Sequence, residues 1–120
     1  MINFVNIKKP AYLTLKEYER YITLEENINI DDVSTGGNTL INVDNIDFIT
    51  HRKDDNYVQY YMKSKKQFTD YSEDDIVDSL IAEIFDNSEQ AAERYKSLCY
   101  QLANPNITID TIKENWVYNN

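Results

Sequence analysis

The apolar positions of the N-terminal part predict one short strand and one short helix. Residues 2–7 (INFVNI) alternate between apolar and polar side chains, which favours a strand. Thr14 and Glu17 have the spacing of a capping box, and Leu15, Tyr18, Tyr21 and Ile22 then repeat at three and four residues. This pattern predicts a short helix, although residues 13–24 (LTLKEYERYITL) also suit an edge strand.

The middle of the chain favours β-structure. Residues 34–38 (STGGN) form the clearest turn signal, because glycine adopts positive φ without a steric clash. Around this turn the pattern predicts an antiparallel meander. The first predicted segments are a loose alternation of Ile28, Ile30 and Val33 and one strand over 39–43 and 46–51 with a kink at Asp44–Asn45. A polar turn at 53–56, a strand at 57–62 (YVQYYM), a turn at 64–66 and a segment at 67–71 complete the predicted meander.

The period changes after residue 71. Ile76, Val77, Leu80, Ile81, Ile84 and Phe85 form one apolar stripe at helical spacing, and Ser72 is a suitable N-cap. A second helix is predicted after Asn87–Ser88, with Ala91, Tyr95, Leu98 and Leu102 on one face and Cys99 buried beside them. A short last helix would bury Ile112 and Trp116.

The pattern therefore predicts an α+β fold for a single domain spanning 1–120: a meander of four or five strands packed against two C-terminal helices, with a short N-terminal helix.

Composition indicates a soluble, cytoplasmic protein. The chain has 120 residues, 42% hydrophobic and 28% charged, with only two glycines and two prolines. The single cysteine, Cys99, excludes an internal disulfide framework, which fits a reducing compartment. The sequence contains neither a signal-peptide pattern nor a long apolar run. The abundance of Asn, Ile, Lys and Tyr is typical of AT-rich coding and suggests a low-GC bacterium or its phage.

Negative charge is concentrated in residues 70–93, which carry nine carboxylates and no Lys or Arg, in a chain of net charge −9. On the predicted helix, Asp75, Asp78, Glu83 and Asp86 lie on or beside the face opposite the apolar stripe. Carboxylates in the first turn also favour a helix through its dipole. Such acidity disfavours direct binding to nucleic acid or to anionic membranes and suits a basic protein partner. The alternative is that the carboxylates only keep the protein soluble.

Residues that could carry chemistry are few. His51 is the only histidine, and with one cysteine the chain has no set of ligands for a usual zinc site. The glycine turn lacks the pattern of a phosphate-binding loop, and the Asp/Asn turns at 44–47 and 54–56 lack EF-hand spacing. We therefore expect no enzyme activity, no cofactor and no metal. A small enzyme that uses Cys99 or His51 remains a third possibility.

The ten tyrosines are the other unusual feature, since tyrosine offers a large, stiff contact area with a polar tip. Tyr60 and Tyr61 are neighbours on one predicted strand and so point to opposite faces. Tyr60, Tyr61 and Tyr71 are candidate anchors for a partner.

Residues 38–85 resemble the small FlbD-type proteins of flagellar and swarming gene clusters. The matching features are Asn42, Ile46 and Ile49 in the first strands and Ile76, Val77, Leu80 and Ile84 in the following helix. The "NGK" turn of that family is replaced by residues 63–66 (KSKK). The resemblance implies a meander followed by an amphipathic helix. In composition the chain is also similar to phage-encoded acidic inhibitors, including anti-CRISPR and DNA-mimic proteins, and to immunity proteins.

The leading hypothesis is an inhibitor that docks an acidic helical surface on a basic partner, such as a nuclease or a toxin. The alternative is a non-inhibitory accessory protein of a flagellar or phage-structural assembly. The candidate partner-binding residues are Asp70, Asp74, Asp75, Asp78, Glu83, Asp86, Glu89, Tyr60, Tyr61 and Tyr71.

Overall fold

The computed structural model of the chain describes residues 4–24, 26–29, 31 and 33–103. These residues form an α+β fold, as the sequence predicts. The strands are β1 (Phe4–Ile7), β2 (Pro10–Thr14), β3 (Ser34–Thr35), β4 (Thr39–Asn42), β5 (Ile46–Thr50), β6 (Tyr57–Met62) and β7 (Ile76–Ile84), and the helices are α1 (Leu15–Tyr18) and α2 (Ser88–Ala103). No helix in this described part of the chain is long and apolar enough to cross a membrane.

The strands form two antiparallel sheets. The larger one has the order β3-β2-β7-β6-β5, so β7 lies at its centre, and β1 pairs with β4 in a separate two-stranded ribbon. Strands β5, β6 and β7 follow one another along the chain and in space. The β5–β6 pair lies within the predicted meander, but the next strand of the sheet is β7 rather than residues 67–71. The single kinked strand predicted over 39–51 is two strands, β4 and β5, which belong to different sheets. At the predicted kink lies a 3-10 turn, Val43–Asn45, in which the Asn42 side chain accepts a hydrogen bond from the Asp44 amide.

Strand β7 replaces the first predicted C-terminal helix, and the helical interpretation of residues 76–85 is therefore wrong. The strand is covered on both faces, so residues 80–84 are all buried in a continuous run. A strand that is buried on both faces loses strict alternation and cannot be distinguished from a helix by periodicity alone. Pairing with β2 is also irregular: Tyr12 is opposite Ile81 whereas Thr14 is opposite Ile76. The extra residues in β7 disrupt the alternation that would otherwise indicate a strand.

Helix α2 is the predicted second helix, but it is rotated relative to the expected face. Ala91 and Leu98 are buried, and they pack with Val58, Tyr60 and Ile81 of the larger sheet. The rest of its buried face is polar, consisting of Arg94, Ser97 and Gln101. Because these polar residues take buried positions, Cys99 is exposed and its predicted burial is wrong. The last predicted helix, with Ile112 and Trp116, lies outside the described residues.

The N-terminal helix is confirmed, and it begins with the predicted capping box. The Thr14 hydroxyl accepts a hydrogen bond from the Glu17 amide at 3.1 Å, and the Glu17 carboxylate accepts one from the Thr14 amide at 2.9 Å. One π-helical turn, Glu19–Thr23, continues α1 and buries Tyr21 against the sheet. Strand β2, which precedes the helix, is not predicted by the sequence pattern.

Two further segments predicted to be β-structure are irregular. Residues 67–71 form a 3-10 turn at Phe68–Asp70, because the Asp70 carboxylate accepts a hydrogen bond from the Gln67 amide at 2.9 Å and so closes the turn. Ile28 is buried without belonging to a strand. The Asn56 side chain binds both the amide and the carbonyl of Ile28, at 3.0 and 2.9 Å, and satisfies this backbone as a neighbouring strand would.

Candidate functional site

The acidic segment is divided into two groups rather than forming one helical surface. Strand β7 has nine residues, which place its ends roughly 25 Å apart at about 3.3 Å per residue. The carboxylates of residues 70–78 lie at its start, and Asp86 and Glu89 lie beyond its end. The predicted single acidic helix surface is therefore absent from the described residues.

Several carboxylates of the first group stabilise the local backbone. Asp70 accepts from the Gln67 amide, and Asp75 accepts from the Ser72 amide at 2.9 Å. Asp78 accepts a hydrogen bond from the Tyr71 hydroxyl at 2.7 Å, and this bond raises the pKa of Tyr71. These three side chains therefore have structural roles although they are exposed, as are the remaining candidates Asp74, Asp86 and Glu89.

Glu83 and Tyr60 are buried, which removes both from the candidate partner-binding surface. Glu83 is 4% exposed and Tyr60 is fully buried. The Glu83 carboxylate accepts hydrogen bonds from the Arg94 guanidinium at 2.8 Å and from the Tyr60 hydroxyl at 2.9 Å. Burial, followed by the nearby carboxylate, raises the pKa of Tyr60 well above its usual value. Arg94 also donates to the carbonyl of Asn6, so this network joins α2, the larger sheet and the ribbon.

A second surface brings four aromatic rings together, and we call it the aromatic groove. The Phe48 and Tyr61 rings are stacked with centroids 4.2 Å apart, Tyr18 meets Tyr61 edge-on at 6.4 Å, and Phe68 lies 5.2 Å from Tyr18. Together they border an open cavity of about 350 Å³, a volume within the range of small-ligand or side-chain sites. Phe48 is 50% exposed and Phe68 is 42% exposed. Exposed aromatic groups of this kind are typical of binding surfaces.

A β-bulge in β5 brings a carboxylate to the same groove. Ile46 pairs with Met62 and Phe48 pairs with Tyr61, so Asp47 is the extra residue between them. In a regular strand Asp47 and Phe48 would point to opposite faces, but here both border the groove. Asp47 is exposed and has no hydrogen-bond or ion-pair partner within the described ranges.

The other charged residue of the groove, Lys66, is held at its rim. Its ammonium lies 4.3 Å from the centre of the Tyr71 ring, in a cation–π contact. Tyr71 is almost buried, and its hydroxyl is bound to Asp78. Of the predicted aromatic anchors, Tyr61 therefore borders the groove and Tyr71 supports its rim. Burial raises the pKa of Tyr61 above its usual value.

His51 and Cys99 both lie near Tyr95. The imidazole Nε2 of His51 lies 3.0 Å from the carbonyl oxygen of Asp55 in the following turn. The neighbouring Cys99 side chain raises the pKa of Tyr95, and the Tyr95 ring lies 6.1 Å from the His51 ring. Within the described residues, no group of three or more His, Cys, Asp or Glu side chains could hold a metal ion.

Sequence reasoning identifies Tyr61 and Tyr71 but misses the rest of the groove. Phe48 and Phe68 occur in segments with no periodic signal of exposure, and Asp47 reaches the groove only through the bulge.

Comparisons of the chain with family models, with curated proteins and with solved structures found no match, and the resemblance to FlbD-type proteins stays a prediction.

Proposed function

We propose that the chain is a non-enzymatic protein-binding inhibitor that holds a basic partner through the aromatic groove. The observation that carries this proposal is that Phe48, Phe68 and Asp47 border one cavity. The two rings are about half exposed, and the Asp47 carboxylate has no partner among the described residues. Aromatic side chains provide most of the binding energy in many interfaces, because they bury a large area at a small cost in conformational entropy.

Charge supports a basic partner. The chain has a net charge of −9, and this field accelerates association with positively charged proteins. The two acidic groups at the ends of β7 contribute to the long-range field even though they do not form one contact surface. In this proposal the groove supplies contact energy, and the exposed carboxylates Asp74, Asp86 and Glu89 supply attraction.

The inhibitor class, which includes anti-CRISPR, DNA-mimic and immunity proteins, is proposed from acidity and size. Such a protein acts by covering a basic active site or nucleic-acid channel of a nuclease or a toxin. The division of the carboxylates favours contact through the groove over mimicry of a continuous phosphate backbone, which needs charges at regular short intervals.

The alternative function is that of an accessory protein in a flagellar or phage-structural assembly. The β1–β4 ribbon carries a separate apolar patch, formed by Phe4 (42% exposed) and Leu40 (63% exposed). An assembly component that contacts two neighbours would use both the aromatic groove and this apolar patch, whereas an inhibitor of a single partner requires only one binding surface.

The test is capture from a low-GC bacterial lysate by the immobilised protein and by a double variant, Phe48→Ser with Phe68→Ser. A protein that binds the wild type and is lost with the double variant supports the groove, and its own activity is then assayed with and without the chain. Phe4→Ser is a matched control, because Phe4 and Phe68 are equally exposed and lie on different surfaces.

If the groove variant captures the same protein as the wild type, the groove is not the binding surface. If Phe4→Ser alone abolishes capture, the accessory-protein alternative is favoured. A captured enzyme whose activity is unchanged by the chain would contradict inhibition.

A further inference from the structure

We infer that the aromatic groove takes an arginine side chain of the partner. This inference rests on the proposed function and specifies the chemistry of the group that enters the cavity. The groove is bordered by aromatic residues, by Asp47 and by Ser64 and Ser79, and the Ser64 hydroxyl also accepts a hydrogen bond from the Lys66 amide at 3.1 Å. A planar cation satisfies all of these at once, because a guanidinium stacks on aromatic rings and pairs with a carboxylate.

Phe48 is the stacking surface in this arrangement. Tyr61 stacks against the Phe48 ring with an interplanar angle of 19°, yet Phe48 remains 50% exposed. The exposed part of the ring is therefore the part that Tyr61 does not cover. A cation placed against it would gain the electrostatic attraction of the ring quadrupole.

Asp47 provides the charge. Of the ionisable side chains that border the groove, Asp47 has no partner among the described residues, while Lys66 is engaged with the Tyr71 ring. The bulge places Asp47 directly before Phe48, so one incoming guanidinium can contact both. Lysine would contact the carboxylate as a point charge, but it lacks the planar fork for stacking and paired hydrogen bonds.

A purely apolar anchor fits the groove less well. Such a side chain would remove water from the Asp47 carboxylate without compensating its charge, and burial of an uncompensated charge is costly. The net charge of −9 also disfavours a second copy of this chain as the occupant.

The experiment titrates the protein with N-acetylarginine methylamide and follows the ring signals of Phe48 and Tyr61 by NMR. The matched probe is the citrulline analogue, which has nearly the same shape and no charge. We expect saturable shifts with the arginine probe and about tenfold weaker binding of citrulline, because citrulline loses the cation–π and ion-pair contributions. Asp47→Asn should weaken arginine binding about fivefold, whereas Asp54→Asn in the β5–β6 turn should leave it unchanged.

Equal affinity for the arginine and citrulline probes, or tighter binding of the phenylalanine analogue, would overturn the inference. Absence of shifts with arginine at the solubility limit of the probe would also overturn it. The proposed function is tested separately: loss of partner capture by the Phe48→Ser, Phe68→Ser variant supports the groove as a binding surface even if the arginine probe does not bind.

Discussion

Replacement of Arg94 tests whether Glu83 is a core residue or a docking residue. The Arg94 and Glu83 side chains are 3% and 6% exposed, and their charged atoms are 2.8 Å apart. In Arg94→Met the Glu83 carboxylate stays buried with only the neutral hydrogen bond from Tyr60. The tie from Arg94 to the Asn6 carbonyl is lost as well. Removing one member of such a pair costs about 3–5 kcal/mol, a large part of the stability of a small domain.

The assay is urea unfolding followed by far-ultraviolet circular dichroism. A loss of about 4 kcal/mol corresponds to a midpoint lower by roughly 1–4 M, since the urea dependence of small domains is about 1–3 kcal/mol per M. In the double variant Glu83→Gln, Arg94→Met, no uncompensated charge remains and the introduced amide oxygen can still accept from Tyr60, so most of the loss should be recovered. The matched control is Arg20→Met, because the Arg20–Glu26 pair is exposed and should contribute only about 0–1 kcal/mol.

An Arg94→Met cost below about 1 kcal/mol would refute this reasoning, since an inexpensive loss means that Glu83 is solvated. Equal destabilisation in the single and double variants would show that the effect comes from lost packing of the arginine side chain rather than from an unpaired carboxylate.

Three further outcomes are expected. Burial raises the pKa of Tyr57 to about 12 from its usual 10, so the stability that this tyrosine contributes is complete below pH 10 and is lost as the pH rises towards 12. In equilibrium unfolding, Tyr57→Phe should reduce this loss of stability by about 1.4 kcal/mol per pH unit. A decline identical to that of the wild type would contradict the assignment. Thr14→Ala removes the α1 cap and should cost about 1 kcal/mol in the same assay, whereas an unchanged midpoint would show that the capping box is not formed in solution. Exposed Cys99 should react with iodoacetamide in the native protein within about tenfold of its rate in urea, and much slower native labelling would show that it is buried.

Local signals in the sequence predict the elements with distinctive chemistry. The capping box at Thr14, the strand Tyr57–Met62 and the kink after Asn42 all have short-range causes, and the structure confirms them. The start of α2 after Asn87 has a local cause too, because the Asn87 side chain accepts a hydrogen bond from the Gln90 amide at 2.9 Å.

The remaining elements depend on partners that are distant in sequence. Residues 76–84 form a strand because β2 and β6 lie on either side of them in the sheet. The residues that directly precede and follow β7 in the sequence do not indicate these neighbours. Glu83 is placed inside by Arg94, although both residue types normally indicate exposure. The aromatic groove is likewise assembled from α1, β5, β6, β7 and the β6–β7 connection. A sequence window that contains only one of these elements cannot reveal the cavity.

The central position of β7 has a consequence for folding kinetics. Its pairing with β2 joins Tyr12 to Ile81, which lie near opposite ends of the described chain. Closing so large a loop costs entropy before the contact returns any stabilisation, and topologies with many distant pairings fold in milliseconds to seconds. During synthesis β2 cannot pair with β7 until residue 84 has left the ribosome, whereas β1 needs only β4, which ends at Asn42.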